Sequence, residues 1–171
     1  MATKPRLDVI ELRRATAEDV DDIVALLQAN DSTQGGTLTG PFDRATVARA
    51  PHDMPVVLGR RPDRLAGVLV SSSIPAVAHV PLIARMLETY RGGADAYVYG
   101  PICVDARDRG GGLAEALFVL LKAELPGREG ILFIRRDNTA SIRTHQQKLN
   151  MKSRGTFALD GVDYLVLSYR G

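Results

Sequence analysis

Hydrophobic and polar positions recur along this chain in two rhythms. Ile10 and Leu12 stand two apart among charged neighbours and predict a first strand over residues 9–14. Val20, Ile23, Val24 and Leu27 fall at helical spacing, so a helix is expected from an N-cap at Thr16 to about Asn30, with Glu18 and Asp19 in its first turn. Residues 31–41, rich in Ser, Thr and Gly, read as a loop, and residues 42–50 as a short helix. Apolar runs at 55–59 and 65–70 flank the turn-forming RRPD and predict a hairpin. Val80, Ile83, Ala84 and Leu87 predict a helix over 78–90, stopped by Gly92 and Gly93, as a cover for the sheet or a wall for a pocket. Residues 97–104 read as a buried strand interrupted by Gly100 and Pro101. Leu113, Leu117, Leu120, Leu121 and Leu125 form one helical stripe, ended by Pro126 and Gly127. A short strand at 131–134, a short helix at 139–148, and strands at 155–159 and 162–169 complete the pattern, the last two joined by the hairpin signal Asp160-Gly161.

Composition narrows the class. A chain of 171 residues with no repeat and no low-complexity tract reads as a single domain, and 45% hydrophobic with 25% charged residues argues for a packed core. A formal net charge of +2, with scattered arginines, speaks against a nucleic-acid binder. One cysteine excludes an intrachain disulfide framework and metal-ligand cysteine pairs, so no metal site is expected, and a reducing cytoplasm is the expected compartment. No apolar run reaches the roughly 20 residues of a membrane span, MATKPRLDV has no signal-peptide core, and the first residues are expected to fray.

The strand, turn and helix from Tyr97 to Leu125 carry the chemistry. Gly110, Gly111 and Gly112 let backbone N–H groups converge, and the helix that follows adds unpaired N–H groups and the positive end of its dipole. Arg109 stands just before them with a full charge. This is a recipe for a pyrophosphate; the alternative is a glycine-rich connection that binds nothing. A P-loop is excluded because no Gly-x-x-x-x-Gly-Lys-Ser/Thr occurs, and the dinucleotide fingerprint fails at Glu115.

What does match is Arg-x-x-Gly-x-Ala, filled by Arg109, Gly112 and Ala114, after a strand ending Val104-Asp105. Here the chain resembles the GNAT superfamily of acyl-CoA-dependent N-acyltransferases, topologically from Ile10 onward and most strongly from Tyr97 to Met151. The resemblance implies an α/β (mixed α+β) fold: a central mixed sheet of about six to seven strands, splayed between the fourth and fifth and flanked by helices. The helix at 78–90 would be an addition between the third and fourth strands. It implies acetyl-CoA as donor, with the pantetheine arm along Ile102, Cys103 and Val104 and the pyrophosphate at Arg109, Gly110, Gly111, Gly112, Leu113 and Ala114. The break at Gly100-Pro101 supplies the parting of strands that such a wedge needs. Cys103 reads as a core thiol rather than a nucleophile.

Acyl transfer to an amine needs a neutral nitrogen, a donor to the oxyanion and a proton for the leaving thiolate. Asn138, Ser141 and His145 lie at intervals of three and four and share a helix face. They resemble the family's Asn-x-x-Ser/Ala-x-x-x-Tyr, which places Asn138 and Ser141 beside the donor and His145 where a tyrosine protonates the thiolate. The sequence departs from the pattern in that histidine and in one extra residue between His145 and Leu149. Histidine titrates near neutrality and suits a proton donor; the alternative is a helix-face histidine satisfied by a neighbour. No general base is identifiable. The implied activity is N-acetyl transfer by direct attack in a ternary complex, on a small-molecule amine or a protein amino group, with no nucleic-acid or membrane partner and a homodimer left open. The alternative from another class is a non-catalytic acyl-CoA-binding sensor or interaction module.

Overall fold

A computed structural model describes residues 7–171, so the fraying expected of the first residues lies outside the described part. Seven strands form one mixed sheet: β1 (Glu11–Arg14), β2 (Val57–Arg61), β3 (Arg64–Ser73), β4 (Tyr97–Val104), β5 (Glu129–Arg135), β6 (Lys152–Leu159) and β7 (Val162–Arg170), hydrogen-bonded in the order β1-β2-β3-β4-β5-β7-β6. The helices are α1 (Val20–Ala29), α2 (Arg44–Asp53), α3 (Ile74–Val77), α4 (Pro81–Thr89), α5 (Leu113–Glu124) and α6 (Thr139–Arg143). β4 and β5 run parallel over two registered pairs, Tyr97 with Gly130 and Val98 with Ile131. The pairing ends at Val98, two residues before Gly100, so the expected parting of these strands is present. Among the described residues no helix is long and apolar enough to cross a membrane.

The chain divides into two compact units: the residues up to Ser71 with Gly100–Glu124, and Ser72–Tyr99 with Leu125–Gly171. In the first unit, Val20, Ile23 and Leu27 of α1 bury against Leu58, Val68 and Cys103. The start of α1 is pinned by Asp19, whose carboxylate accepts two hydrogen bonds from Arg13 at 2.7 and 2.8 Å and one from the Thr16 amide at 2.9 Å. The Arg13 bonds, which outweigh the upward push of burial, hold its pKa down to about 2. In the second unit, Leu82 and Met86 of α4 pack on Val98, Ile131, Phe157 and Val166.

The structure corrects several boundaries. Residues Leu7–Val9 form a 3-10 turn, so β1 starts only at Glu11. Leu12 remains 41% exposed, because β1 is an edge strand. The helix at Thr16 begins with a 3-10 turn, Ala17–Asp19, before α1 proper. The added helix between the third and fourth strands is two pieces, α3 and α4, each with a proline in its first turn, where the missing N–H is unneeded. The helix expected over 139–148 changes character midway. α6 gives way to a π-turn at Thr144–Lys148, in which the Leu149 amide donates to the Thr144 carbonyl at 3.0 Å. The extra residue after His145 is absorbed by widening this turn.

Candidate active site

The glycine turn is built by conformation and by what lies beneath it. Gly110 and Gly112 have φ of 76° and 89°, in the left-handed region that L side chains avoid. A Cβ on Gly110 would meet nothing within 4 Å, and one on Gly112 only the Leu7 Cδ1 at 3.6 Å. Packing therefore does not demand these glycines; the backbone path does, and it leaves the face above the turn open. The helix they introduce, α5, sits low on the hairpin. Gly59 and Gly67 face each other across β2 and β3, and a Cβ on either would fall 2.8 or 3.0 Å from a Leu113 methyl. Leu113, the first residue of α5, thus seats in a socket made of two glycines and is 1% exposed.

The connector before the turn is anchored by Asp108, which sequence reasoning missed. Asp108 is 2% exposed, and its two carboxylate oxygens accept from Arg61 at 2.8 Å and Arg64 at 2.7 Å. Burial pushes its pKa up, but the two guanidinium groups outweigh burial and hold it below the ordinary carboxylate value. No local pattern announces this clamp, because its partners stand more than forty residues away, at separations of 47 and 44. Arg109 itself is exposed and already oriented: its Nε donates to the Val104 carbonyl at 3.2 Å and one Nη to the Asn30 side-chain oxygen at 2.8 Å. Of the five N–H donors of a guanidinium, three are left over from these bonds.

Along β4, Cys103 is buried in the first unit's core, and burial raises its thiol to about 11, which matches a core thiol. Ile102 and Val104 alternate with it as half-buried positions, and Ala114 is half-buried in the first turn of α5. The amides of Leu113 and Ala114 belong to that first turn, where an α-helix has no acceptor of its own to offer.

The second unit holds the predicted helix-face trio, arranged as a local chain. The Asn138 side-chain oxygen caps α6 by accepting from the Ser141 amide at 3.2 Å. The Ser141 carbonyl lies 2.8 Å from His145 Nδ1, and the Ser141 hydroxyl 3.3 Å from the same atom. A carbonyl only accepts, so Nδ1 carries the ring proton and Nε2 presents a lone pair. His145 is 2% exposed, and its Nε2 has no hydrogen-bond partner among the described residues. Such an unmet polar atom costs about 1–3 kcal/mol. Burial lowers the His145 pKa, opposed by the bond to the Ser141 carbonyl, so the ring is neutral at neutral pH.

Three tyrosines share this interior. The Tyr99 ring meets the His145 ring edge-on at 5.7 Å and the Tyr169 ring at 5.8 Å, and the Tyr97 and Tyr169 hydroxyls are hydrogen-bonded to one another. Burial raises all three phenols, Tyr97 to about 12, so the cluster carries no charge. Tyr97 and Tyr99 belong to the strand that the sequence marks, whereas nothing local in the sequence signals Tyr169, which arrives from β7.

No family model matches the sequence, and no curated protein does. Solved structures do match. The chain is similar to smu.2055 from Streptococcus mutans UA159 at 19% identity and a TM-score of 0.71, covering 94% of this chain and 98% of that one. It is similar to an N-acetyltransferase from Staphylococcus aureus Mu50 at 22% identity and a TM-score of 0.66, over 94% and 98% of the two chains. It is similar to yncA from Salmonella typhimurium, solved with its cofactor acetyl-CoA, at 17% identity and a TM-score of 0.67, over 94% and 93%. The fold is that of the GNAT acetyltransferases.

Proposed function

We propose that this protein is an acyl-CoA-dependent N-acyltransferase that uses acetyl-CoA and acetylates an amine by direct attack. The observation that carries the reading is the open glycine turn at the start of α5, with Gly110 and Gly112 at positive φ and nothing packed over Gly110, in a chain with this fold. The residues fit the donor's diphosphate: a cradle of backbone N–H groups, a helix start, and Arg109 held ready by Val104 and Asn30. Arg109, Gly110, Gly111, Gly112, Leu113 and Ala114 would hold the diphosphate, and the free edge of Ile102 to Val104 the pantetheine arm. When bound, the donor supplies a thioester carbonyl activated toward nitrogen.

The chain's own residues supply binding and proton handling. The turn opposes the diphosphate charge with N–H dipoles that are oriented before the ligand arrives. Ser141, its own amide capped by Asn138, holds the His145 ring by one nitrogen, and His145 manages the proton. The acceptor belongs to the class of small-molecule amines or protein amino groups.

The test is thiol release from acetyl-CoA by the purified protein against a panel of amines, with thermal denaturation alongside. Acceptor-dependent release is the expected result. Acetyl-CoA should raise the melting temperature, a hundredfold excess over Kd adding about 2.7 kcal/mol, while ATP and NAD should not. Stabilisation by acetyl-CoA without release from any amine would return the sensor reading, and equal shifts from all three nucleotides would remove the CoA assignment.

A further inference from the structure

We infer that Asn30 is a positioning residue for the acyl donor: its side-chain oxygen holds the Arg109 guanidinium beside the glycine turn without neutralising it, and the loop that closes on Asn30 thereby sets how tightly the diphosphate is bound. The inference rests on the acyltransfer reading, and every residue it uses belongs to the first unit.

The first observation is how the arginines around the turn are partnered. Arg61 and Arg64 share the Asp108 carboxylate at 2.8 and 2.7 Å. Arg107 meets the Asp105 carboxylate at 2.9 and 2.8 Å. Those three charges are answered within the protein. Arg109 differs, because its described partners are two neutral oxygens, the Val104 carbonyl and the Asn30 side chain. A neutral acceptor orients a guanidinium and leaves its charge for an anion, whereas a carboxylate orients it and cancels the charge.

The second observation is the Asn30 amide. Its Nδ2 donates to the Leu26 carbonyl at 2.9 Å, and its Oδ1 accepts from Arg109 at 2.8 Å. A carbonyl only accepts and a guanidinium only donates, so the amide fits in one orientation. An aspartate here would set an oxygen against the Leu26 carbonyl and a negative charge against Arg109. Asn30 also caps the C-terminal end of α1, where the helix dipole favours a cation.

The third observation is what fixes Asn30 from behind. Its carbonyl accepts from the Leu38 amide at 3.1 Å, and the Leu38 carbonyl accepts from the Ser32 amide at 2.7 Å. Leu38 packs against the first unit's core. Gly36 lies so close to Asn30 that a Cβ there would overlap the Asn30 carbonyl oxygen. The loop therefore closes tightly on one side of Asn30, and the side chain reaches Arg109 on the other. A long side chain held in place before the ligand arrives loses less freedom on binding.

The test is a double-mutant cycle on the full chain, read by calorimetry with acetyl-CoA: the parent, Asn30→Ala, Arg109→Ala and the two together. Asn30→Ala should raise Kd about fivefold, yet the double variant should bind within about twofold of Arg109→Ala, because Asn30 acts through the guanidinium. Losses that multiply overturn the inference, since a merely structural Asn30 would matter with or without Arg109. Asn30→Asp keeps the side chain's shape and guards against a misfolded alanine variant. It should raise Kd at least as much as Asn30→Ala does, and a change from about 0.05 to about 0.5 M salt should weaken its binding less than the parent's. Parental affinity in Asn30→Asp overturns the neutral tether. Gly36→Ala should raise Kd in the parent and leave it unchanged in Arg109→Ala; equal losses in both backgrounds overturn the part given to the loop. In the free protein, the Arg109 Nε–H signal in 15N-resolved NMR should exchange with water more slowly in the parent than in Asn30→Ala, and equal rates overturn the inference. Each of these failures leaves the acyltransfer reading standing, whereas a parent that binds no acetyl-CoA removes both.

Discussion

The glycine turn of the first unit and the histidine turn of the second are built on opposite plans. The turn at Gly110 to Gly112 works by backbone: its side chains are absent, its upper face is open, and its rigidity comes from the Asp108 clamp and the Leu113 socket below. The turn at His145 works by one side chain: the ring is enclosed, one nitrogen is tied to Ser141, and the other is left without a partner among the described residues. A ligand that meets the first adds contacts to a surface already shaped. A ligand that meets the second answers a debt inside the fold. The first plan tolerates loss of a charged side chain and not of a glycine; the second has only one group to lose.

The sharpest way to break this comparison is at the clamp. Asp108→Asn leaves Arg61 and Arg64, both largely buried, without their shared carboxylate, and should lower unfolding stability by about 3 kcal/mol in urea titrations. A loss under about 1 kcal/mol would mean the open turn does not lean on Asp108. Next is Gly112→Val, which forces a β-branched residue to a φ of 89°. Acetyl-CoA affinity measured by calorimetry should fall by about 30-fold, equivalent to about 2 kcal/mol, and an unchanged Kd would show that the turn does not contact the donor. Arg109→Ala comes third. It removes one charged partner from a site whose remaining donors are backbone, so Kd should rise about tenfold while the melting temperature stays near that of the parent. A larger loss than Gly112→Val produces would reverse the order of backbone over side chain.

The smallest effect is on acid stability, and it separates the two turns by pH. His145 has a folded pKa below its ordinary value, so its neutral burial stabilises fully above about pH 6.5 and loses that contribution as pH falls toward the folded value. Asp108 is also depressed, but as a carboxylate: its contribution is fully present above about pH 4 and is lost only as pH falls through its lower folded value. Urea midpoints between pH 7 and 3 should therefore show an upper decline absent from His145→Gln and a lower decline reduced in Asp108→Asn. A His145→Gln protein that keeps the upper decline would move its origin elsewhere.

The same contrast explains what could be read from the sequence. The glycine turn announces itself because consecutive glycines before a leucine-striped helix have a local cause, and the strand break is visible as Gly100-Pro101 for the same reason. The extra residue after Asn-x-x-Ser-x-x-x-His is also visible, but not its outcome: whether a helix rotates or widens depends on what Leu149 and Met151 must reach, and both are buried. The Nδ1 tautomer, the Arg61–Asp108–Arg64 clamp and the arrival of Tyr169 beside Tyr99 depend on long-range packing, to which the periodicity of a segment is blind. The break of the added helix into α3 and α4 was legible in principle, since Pro75 and Pro81 each favour a fresh first turn.

The seat of Leu113 has a consequence for how variation in this protein would be interpreted. Gly59 and Gly67 touch no ligand in any reading of the molecule, yet they set the height at which α5, and with it the glycine turn, stands above the hairpin. An added methyl at Gly67 would meet Leu113 at 3.0 Å and the Cys103 carbonyl at 3.1 Å, and the helix start is the part free to lift. In a variant library scored only for donor binding, hairpin positions would then register as recognition residues. Scoring abundance beside binding would separate the two kinds of genotype: changes at Arg109 should cost affinity with little loss of soluble protein, whereas changes at Gly59 and Gly67 should depress both together.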